Sequence, residues 1–308
     1  MAGHLAGKNI AVTGAGNGIG RGIALACAAE GAKVVVADYG VTMDGSDPSS
    51  EVADVVVDEI RAAGGTAIAV AGDVSEMAVG QRIVDTAVQN WGTIDGVVCV
   101  AGIVRERMLF NMSEEEFDHV VGVHLKGHFT LYRAASAVMR KQETGGSLVG
   151  FTSGAFVAST AQANYSAAKG GIVSLTRSAA FALRRYGINA NCIAPAAMTR
   201  MSENVPFEIE AGGPEAIAPL AVYLLSDAAR DTTAQIYTCT GKRIAVWNHK
   251  LEQMKDAERQ REQDQKKGGC PEAPQQPTDP PVQQDPGTVK FCLEGTGSAA
   301  AAFLKGIK

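Results

Sequence analysis

The 308-residue chain is 46% hydrophobic, enough for one sizeable α/β core with additions, and carries a formal net charge of −5. With a pI near 5.6 it has no electrostatic surplus for nucleic acid or an anionic membrane, so neither is an expected partner. The start, Met1-Ala2-Gly3-His4-Leu5-Ala6-Gly7-Lys8, forms no secretory h-region, and no apolar run nears the roughly 20 residues needed to cross a bilayer. A cytoplasmic protein is expected. Cys27, Cys99, Cys192 and Cys239 fall inside apolar patterns without any Cys-x-x-Cys pair, which favours buried thiols over disulfides or zinc.

From residue 8 to residue 245, short β-branched runs alternate with amphipathic stretches. Strands are predicted at 9–13, 33–38, 66–71, 96–100, 147–152, 189–193 and 236–240. Several are apolar along nearly their whole length, the pattern of strands covered on both faces. Helices are predicted at 18–30, 50–63, 78–91, 113–140, 165–186 and 214–226. Ser113 with Glu116 reads as a capping box, and Gly64-Gly65 as a helix stop. Repeated strand–helix–strand units imply an α/β fold over residues 1–247: a Rossmann-type, doubly wound parallel sheet of seven strands with helices on both faces.

Composition changes near residue 248. Residues 250–267 are charged and helix-prone, and their six basic and five acidic residues nearly cancel, so a solvated helix is expected over a binding patch. Residues 271–286 hold six of the eleven prolines and four glutamines, a composition that builds no core and reads as a linker. A weak strand-plus-helix pattern follows to residue 308.

Thr13-Gly14-Ala15-Gly16-Asn17-Gly18-Ile19-Gly20 follows a strand and opens a helix. Glycine is required where the chain turns tightly and where backbone must approach a pyrophosphate, which the helix amino end then holds. Asp38 ends the next strand, eighteen residues past Gly20. A carboxylate there accepts both ribose hydroxyls and repels a 2′-phosphate, and Asn17 adds no positive charge, so NAD is expected over NADP. Asp73-Val74 follows the third strand, at the adenine edge. Ala101-Gly102 follows the fourth, where small residues let backbone approach a ribose.

Tyr165-Ser166-Ala167-Ala168-Lys169 places an ammonium one helical turn from a phenol on the same face. A free tyrosine titrates near ~10, too high for acid/base work at neutral pH, and a nearby cation would lower it. Ser153 ends the strand twelve residues before Tyr165; its hydroxyl, or that of Thr152 beside it, could polarise a carbonyl. His124 and His128 stand at metal-ligand spacing, but no third ligand is evident. One relay or packing histidine and one surface histidine are expected, with no metal.

Residues 13–20, Asp38, Asp73, Ala101-Gly102, Ser153, Tyr165, Lys169 and Pro195 together resemble the short-chain dehydrogenase/reductase family, over roughly residues 5–247. Met108-Leu109-Phe110, His124-Leu125-Lys126-Gly127, the segment from Gln162 to Lys169, and Ile193-Ala194-Pro195 look most like one subgroup: the dehydrogenase part of the peroxisomal multifunctional β-oxidation enzyme and its stand-alone actinobacterial relatives. The resemblance implies a homodimer or homotetramer built on two long helices, and 3-hydroxyacyl thioesters or similar secondary alcohols, interconverted with ketones, as substrates. It implies that Tyr165 exchanges the alcohol proton, Ser153 orients the oxygen and Lys169 also holds the nicotinamide ribose. Pro195 and Thr199 would meet the cofactor, Thr199 at the carboxamide.

Four positions depart from the family pattern. Cys99-Val100 stand where two asparagines are usual, His124 replaces the usual catalytic asparagine, the Ser153–Tyr165 interval is one residue short, and Ala196 replaces a glycine. An imidazole can still bind a relay water. Two other functions remain compatible: a steroid or terpenoid alcohol dehydrogenase, or a non-catalytic NAD-binding scaffold whose tail recruits a partner. Substrate specificity is expected in segments 104–110, 154–160 and 200–213.

Overall fold

A computed structural model describes residues 3–42, 45–46, 49, 51–196, 212–240 and 243–247. Its strands are β1 (Asn9–Thr13), β2 (Lys33–Asp38), β3 (Thr66–Ala71), β4 (Gly96–Cys99), β5 (Gly146–Phe151), β6 (Ile188–Pro195), β7 (Ile236–Cys239) and β8 (Ile244–Val246). They form one sheet in the order β3-β2-β1-β4-β5-β6-β7-β8. Every pairing is parallel except β7 with β8, which is antiparallel. The expected doubly wound parallel sheet is present, but with eight strands rather than seven. The addition is a three-residue hairpin partner, too short to show a period of its own.

The helices are α1 (Gly18–Ala29), α2 (Glu51–Ala62), α3 (Met77–Trp91), α4 (Glu114–Val121), α5 (Gly127–Gln142), α6 (Ala163–Leu183) and α7 (Ala218–Leu225). Strand residues alternate between two apolar layers. Ile10, Val12, Val34 and Val36 pack with α1, α2 and α7, whereas Ala11, Val35 and Ala37 pack with α3 and α5. All five residues of β1 are buried, as expected of a strand with helices on both sides. Each fully buried aliphatic side chain here, such as Ile23 or Ile83, contributes about 1.5–3 kcal/mol. No helix among the described residues is long and apolar enough to cross a membrane.

The chain order reverses between β1 and β4, whose carboxyl ends diverge into a crevice where doubly wound sheets bind ligands. Two local features shape that crevice. The single helix expected over 113–140 is divided, because Gly122–Lys126 forms a π-helical turn between α4 and α5. Such turns insert one residue and re-phase the helix that follows. In addition, α6 begins at Ala163, two residues before the expected start.

The capping box at α4 is formed: the Ser113 hydroxyl accepts from Glu116 N at 3.1 Å, and the Glu116 carboxylate accepts from Ser113 N at 2.9 Å. Gly64 stops α2 with φ +83°, a backbone that L side chains rarely adopt. Replacing Ser113 by Ala should lower the unfolding free energy by about 1 kcal/mol, read as a lower urea midpoint at unchanged m-value.

Candidate functional site

The segment from β1 to α1 is dictated by close contact. Gly14 has φ +64°, and a Cβ there would stand 2.7 Å from Ala101 N. A Cβ on Gly20 would collide with the Gly14 carbonyl. Thr13 closes the turn, its hydroxyl accepting from Val100 N at 3.2 Å and Ala101 N at 3.4 Å. This hydroxyl, from β1, supplies polar anchoring that Cys99-Val100 cannot give from their own side chains.

A cavity of about 510 Å³ opens above this turn. Gly14, Asn17, Gly18, Ile19, Gly20, Asp38, Asp73, Val74, Ala101 and Gly102 all line it. The Asp38 carboxylate accepts from Gly16 N and Gly40 N, both at 2.7 Å. Carboxylate oxygens offer about four lone-pair sites, so capacity for a diol remains beside these braces. Asp73 spends one oxygen on Ser75 N at 2.8 Å, and the Val74 carbonyl accepts from the Thr130 hydroxyl at 2.7 Å. The Gly-rich cradle, the helix amino end and Asp38 together fit a dinucleotide.

Ser153, Tyr165, Lys169 and Pro195 do not line that cavity but form a second group beyond its Gly102 wall. His124 is the link. A Cβ on Gly102 would run into its imidazole, so Gly102 is small for the sake of this ring as well as for any ribose. On its other side the ring meets Tyr165 edge to face, with centroids 5.1 Å apart. The Lys169 ammonium lies 5.3 Å from the Tyr165 ring centroid and donates to the Phe151 carbonyl at 2.7 Å. Pro195 ends β6, two residues past Ile193, the register partner of Phe151.

The choice between Thr152 and Ser153 is made by partners. The Thr152 hydroxyl donates to the Lys169 carbonyl at 2.9 Å and is buried. Ser153, whose oxygen accepts from Ala155 N at 3.2 Å, is instead the hydroxyl that acts on the Tyr165 phenol, opposing the rise in its pKa. Thr199 and the segments 197–211 and 248–308 lie outside the described residues.

Electrostatics differ from the expectation drawn from spacing alone. Burial raises the Tyr165 pKa above the ordinary phenol value, and the hydrogen bond from Ser153 opposes it. Burial lowers Lys169 to about 7. In both groups desolvation is the largest cause: Lys169 is 4% exposed, and the half-buried Tyr165 has its phenol turned inward. His124 is held well below the usual imidazole range, chiefly by burial and then by Lys169. Its Nε2 lies 2.8 Å from the Ile103 oxygen and 3.1 Å from the Ile103 nitrogen, donating to the first when protonated or accepting from the second when not, while Nδ1 has no partner among the described residues.

Three contributors escaped sequence reasoning. His128, expected at the surface, is 2% exposed: it stands one helical turn from buried His124 and shares its side of the helix. Its Nδ1 lies 2.7 Å from His124 O, and its Nε2 is 3.1 Å from Phe151 N. Asn164 is fully buried and ties α6 down, donating to Arg105 O at 3.0 Å and Glu116 O at 2.9 Å. Its position at the amino end of a helix, beside the phenol, was the available signal. Finally, Trp247 after β8 packs on Phe156, with centroids 4.9 Å apart, in the turn that follows Ser153. Among the described residues no cluster of three His, Cys, Asp or Glu could hold a metal.

The two buried histidines make stability pH-dependent. His128 is lowered to about 3 and His124 is also lowered, so below pH ~6.5 the unfolded chain takes up protons that the folded protein refuses. Their stabilisation is present above that pH and lost as pH falls towards 3, by up to about 1.4 kcal/mol per pH unit for each ring. Lys169 acts in another window: unfolded lysine keeps a proton from pH 7 to ~10.5 that the buried one releases, so stability rises with pH there. Urea unfolding across pH should show both slopes, and His128→Gln should flatten the acid one by a single histidine's share.

Comparison with known proteins agrees with this geometry. The family described as short chain dehydrogenase matches residues 8–208. The peroxisomal hydratase-dehydrogenase-epimerase of Saccharomyces cerevisiae is 44% identical over 234 residues, 75% of this chain but 26% of that longer protein. The hydroxyacyl-CoA dehydrogenase ChsB1 of Mycobacterium tuberculosis is 44% identical over 79% of this chain and 80% of its own. A short chain dehydrogenase from Mycobacterium avium has a crystal structure that superposes with a TM-score of 0.73 at 41% identity, covering 99% of this chain and 97% of that one. The chain therefore belongs to the short-chain dehydrogenase/reductase family, whose members are oxidoreductases acting on CH–OH groups.

Proposed function

We propose that the protein is an NAD-dependent dehydrogenase interconverting a secondary alcohol and a ketone, with 3-hydroxyacyl thioesters such as 3-hydroxyacyl-CoA as the favoured substrate class. The observation that carries the reading is the group of half-buried Ser153 and Tyr165 with buried Lys169 and His124, set against the wall of a cavity shaped for a dinucleotide. The substrate class draws support from the relative named hydroxyacyl-CoA dehydrogenase.

When bound, NAD supplies the hydride acceptor. Gly14, Asn17, Gly18, Ile19 and Gly20 hold its pyrophosphate, Asp38 a ribose diol, Asp73 and Val74 the adenine edge, and Ala101 and Gly102 the second ribose side. Tyr165, Lys169 and Pro195 serve the nicotinamide end, with Thr199 assigned to the carboxamide. Asp38 disfavours a 2′-phosphate by charge, which selects NAD.

In the oxidative direction the Tyr165 Oη takes the proton of the substrate hydroxyl while Ser153 Oγ orients the substrate oxygen. Burial keeps the free phenol protonated, and positive charge arriving beside it acts in the opposite sense. The Lys169 ammonium then stabilises the phenolate. His124 Nδ1, buried and unpartnered, is the acceptor for a relay water that carries the proton outward.

Phe117, Phe129 and Phe181, on α4, α5 and α6, are 40%, 45% and 73% exposed, which supports assembly into a homodimer or homotetramer through these helices. A reducing compartment, assigned here to the cytoplasm, suits the four buried free thiols.

An NADH-absorbance screen over hydroxyacyl thioesters, steroid alcohols and terpenoid alcohols tests the substrate class. Turnover confined to the steroids or terpenoids would replace the thioester reading. Tyr165→Phe should lower kcat by about 10²–10⁴-fold while cofactor binding persists, and retained turnover would refute the mechanism. Asp38→Arg should move the kcat/KM ratio towards NADP; an unmoved ratio would refute the NAD assignment.

A further inference from the structure

His128 is a buried, titratable side chain that the mechanism above does not use. Four residues separate it from His124, so it follows that ring to the same side of the helix and is likewise buried. Both ring nitrogens have backbone partners. His124 O can only accept, so Nδ1, 2.7 Å away, carries the proton and donates. Nε2 is then the lone-pair nitrogen and accepts from Phe151 N at 3.1 Å. The carbonyl of the same residue, Phe151, receives the Lys169 ammonium at 2.7 Å.

These bonds run in one direction. The main chain of His124 is joined to the imidazole of His128, the imidazole to the amide of Phe151, and the Phe151 carbonyl to Lys169. The first link sets the backbone that carries His124, and the last sets the ammonium. Tyr165 touches both ends of the chain, His124 by its ring and Lys169 by its charge. A peptide unit that accepts at one end and donates at the other strengthens both bonds, and the low local dielectric adds to the effect.

We infer that His128 is a positioning residue: it locks the π turn to the end of β5, so that His124 and Lys169 present themselves to Tyr165 in one register. The inference rests on the catalytic reading proposed above. The ring must be neutral for this, since an imidazolium would turn Nε2 into a donor facing the Phe151 N–H. Burial, and next the charge of Lys169, hold it neutral, lowering it to about 3.

Three substitutions separate positioning from packing. Leucine fills much of the space with no polar atom. Glutamine offers an amide whose donor and acceptor are spaced like the two ring nitrogens. Asparagine keeps the donor near His124 O but falls short of Phe151 N. Each variant is assayed with NAD and the best substrate of the screen, and rates are expressed per folded molecule by circular dichroism.

His128→Leu should lose about 10–100-fold in kcat with KM for NAD changed by less than about threefold, because misplacing catalytic groups by an ångström costs rate more than binding. His128→Gln should stay within about fivefold of the parent, and His128→Asn should fall with leucine. Unchanged kcat in the leucine variant, or glutamine no better than leucine, overturns the inference. Should leucine fail to fold, the asparagine–glutamine pair decides it: equal rates in the two overturn it. A parent enzyme inactive on every substrate class would instead refute the proposed function, whereas an active parent with these outcomes unmet refutes only the role of His128.

Discussion

The hydrogen bond from the Lys169 ammonium to the Phe151 carbonyl is the interaction around which the site is arranged. A charged group 4% exposed to solvent is costly unless its protons are satisfied, and this lysine has few neighbours able to do so. The cost appears as a pKa lowered to about 7. The bond has a counterpart: Thr152 donates back to the Lys169 carbonyl, so consecutive residues of β5 and its end grip the same residue of α6. With residues 151 and 152 committed to that grip, the strand's alternation delivers Ser153 to the phenol. Three neighbouring residues thus take three separate tasks, two of them structural.

The same economy governs the cofactor side. Asp38 braces Gly16 and Gly40 while facing the cavity, and Thr13 braces the amides of Val100 and Ala101. Gly102 gives way to an imidazole, and Gly14 gives way to Ala101. A cleft built from such contacts is largely preformed, with its backbone donors and acceptors already held in place. The end of β4 lacks the asparagines usual in this family and is held by Thr13 on β1, while the neighbouring end of β5 is held by His128 on α5, each acting on backbone at the sheet's carboxyl edge.

Much of this architecture was legible in the chain. Apolar runs of three to five residues marked β1, β2 and β3 to the residue; β1 and β2, covered on both faces, admit little else. Ser113 and Glu116 marked a helix start through chemistry confined to one turn. Two features were not legible. The π turn inserts a single residue into a long helical pattern, and helical periodicity averaged over three turns hardly registers it. The β8 strand has three residues and owes its existence to β7 beside it, not to a pattern of its own.

The sequence by itself determined the layering, the glycine turn, the acid at the end of β2 and the one-turn spacing of phenol and ammonium, since each depends on local geometry or on a short repeat. Only the tertiary structure decided which hydroxyl acts on the phenol, that desolvation dominates the titration of Tyr165 and Lys169, and that a second histidine joins the two halves of the site. Those outcomes depend on which atoms remain when water is excluded, and that depends on segments far apart in the chain packing against one another.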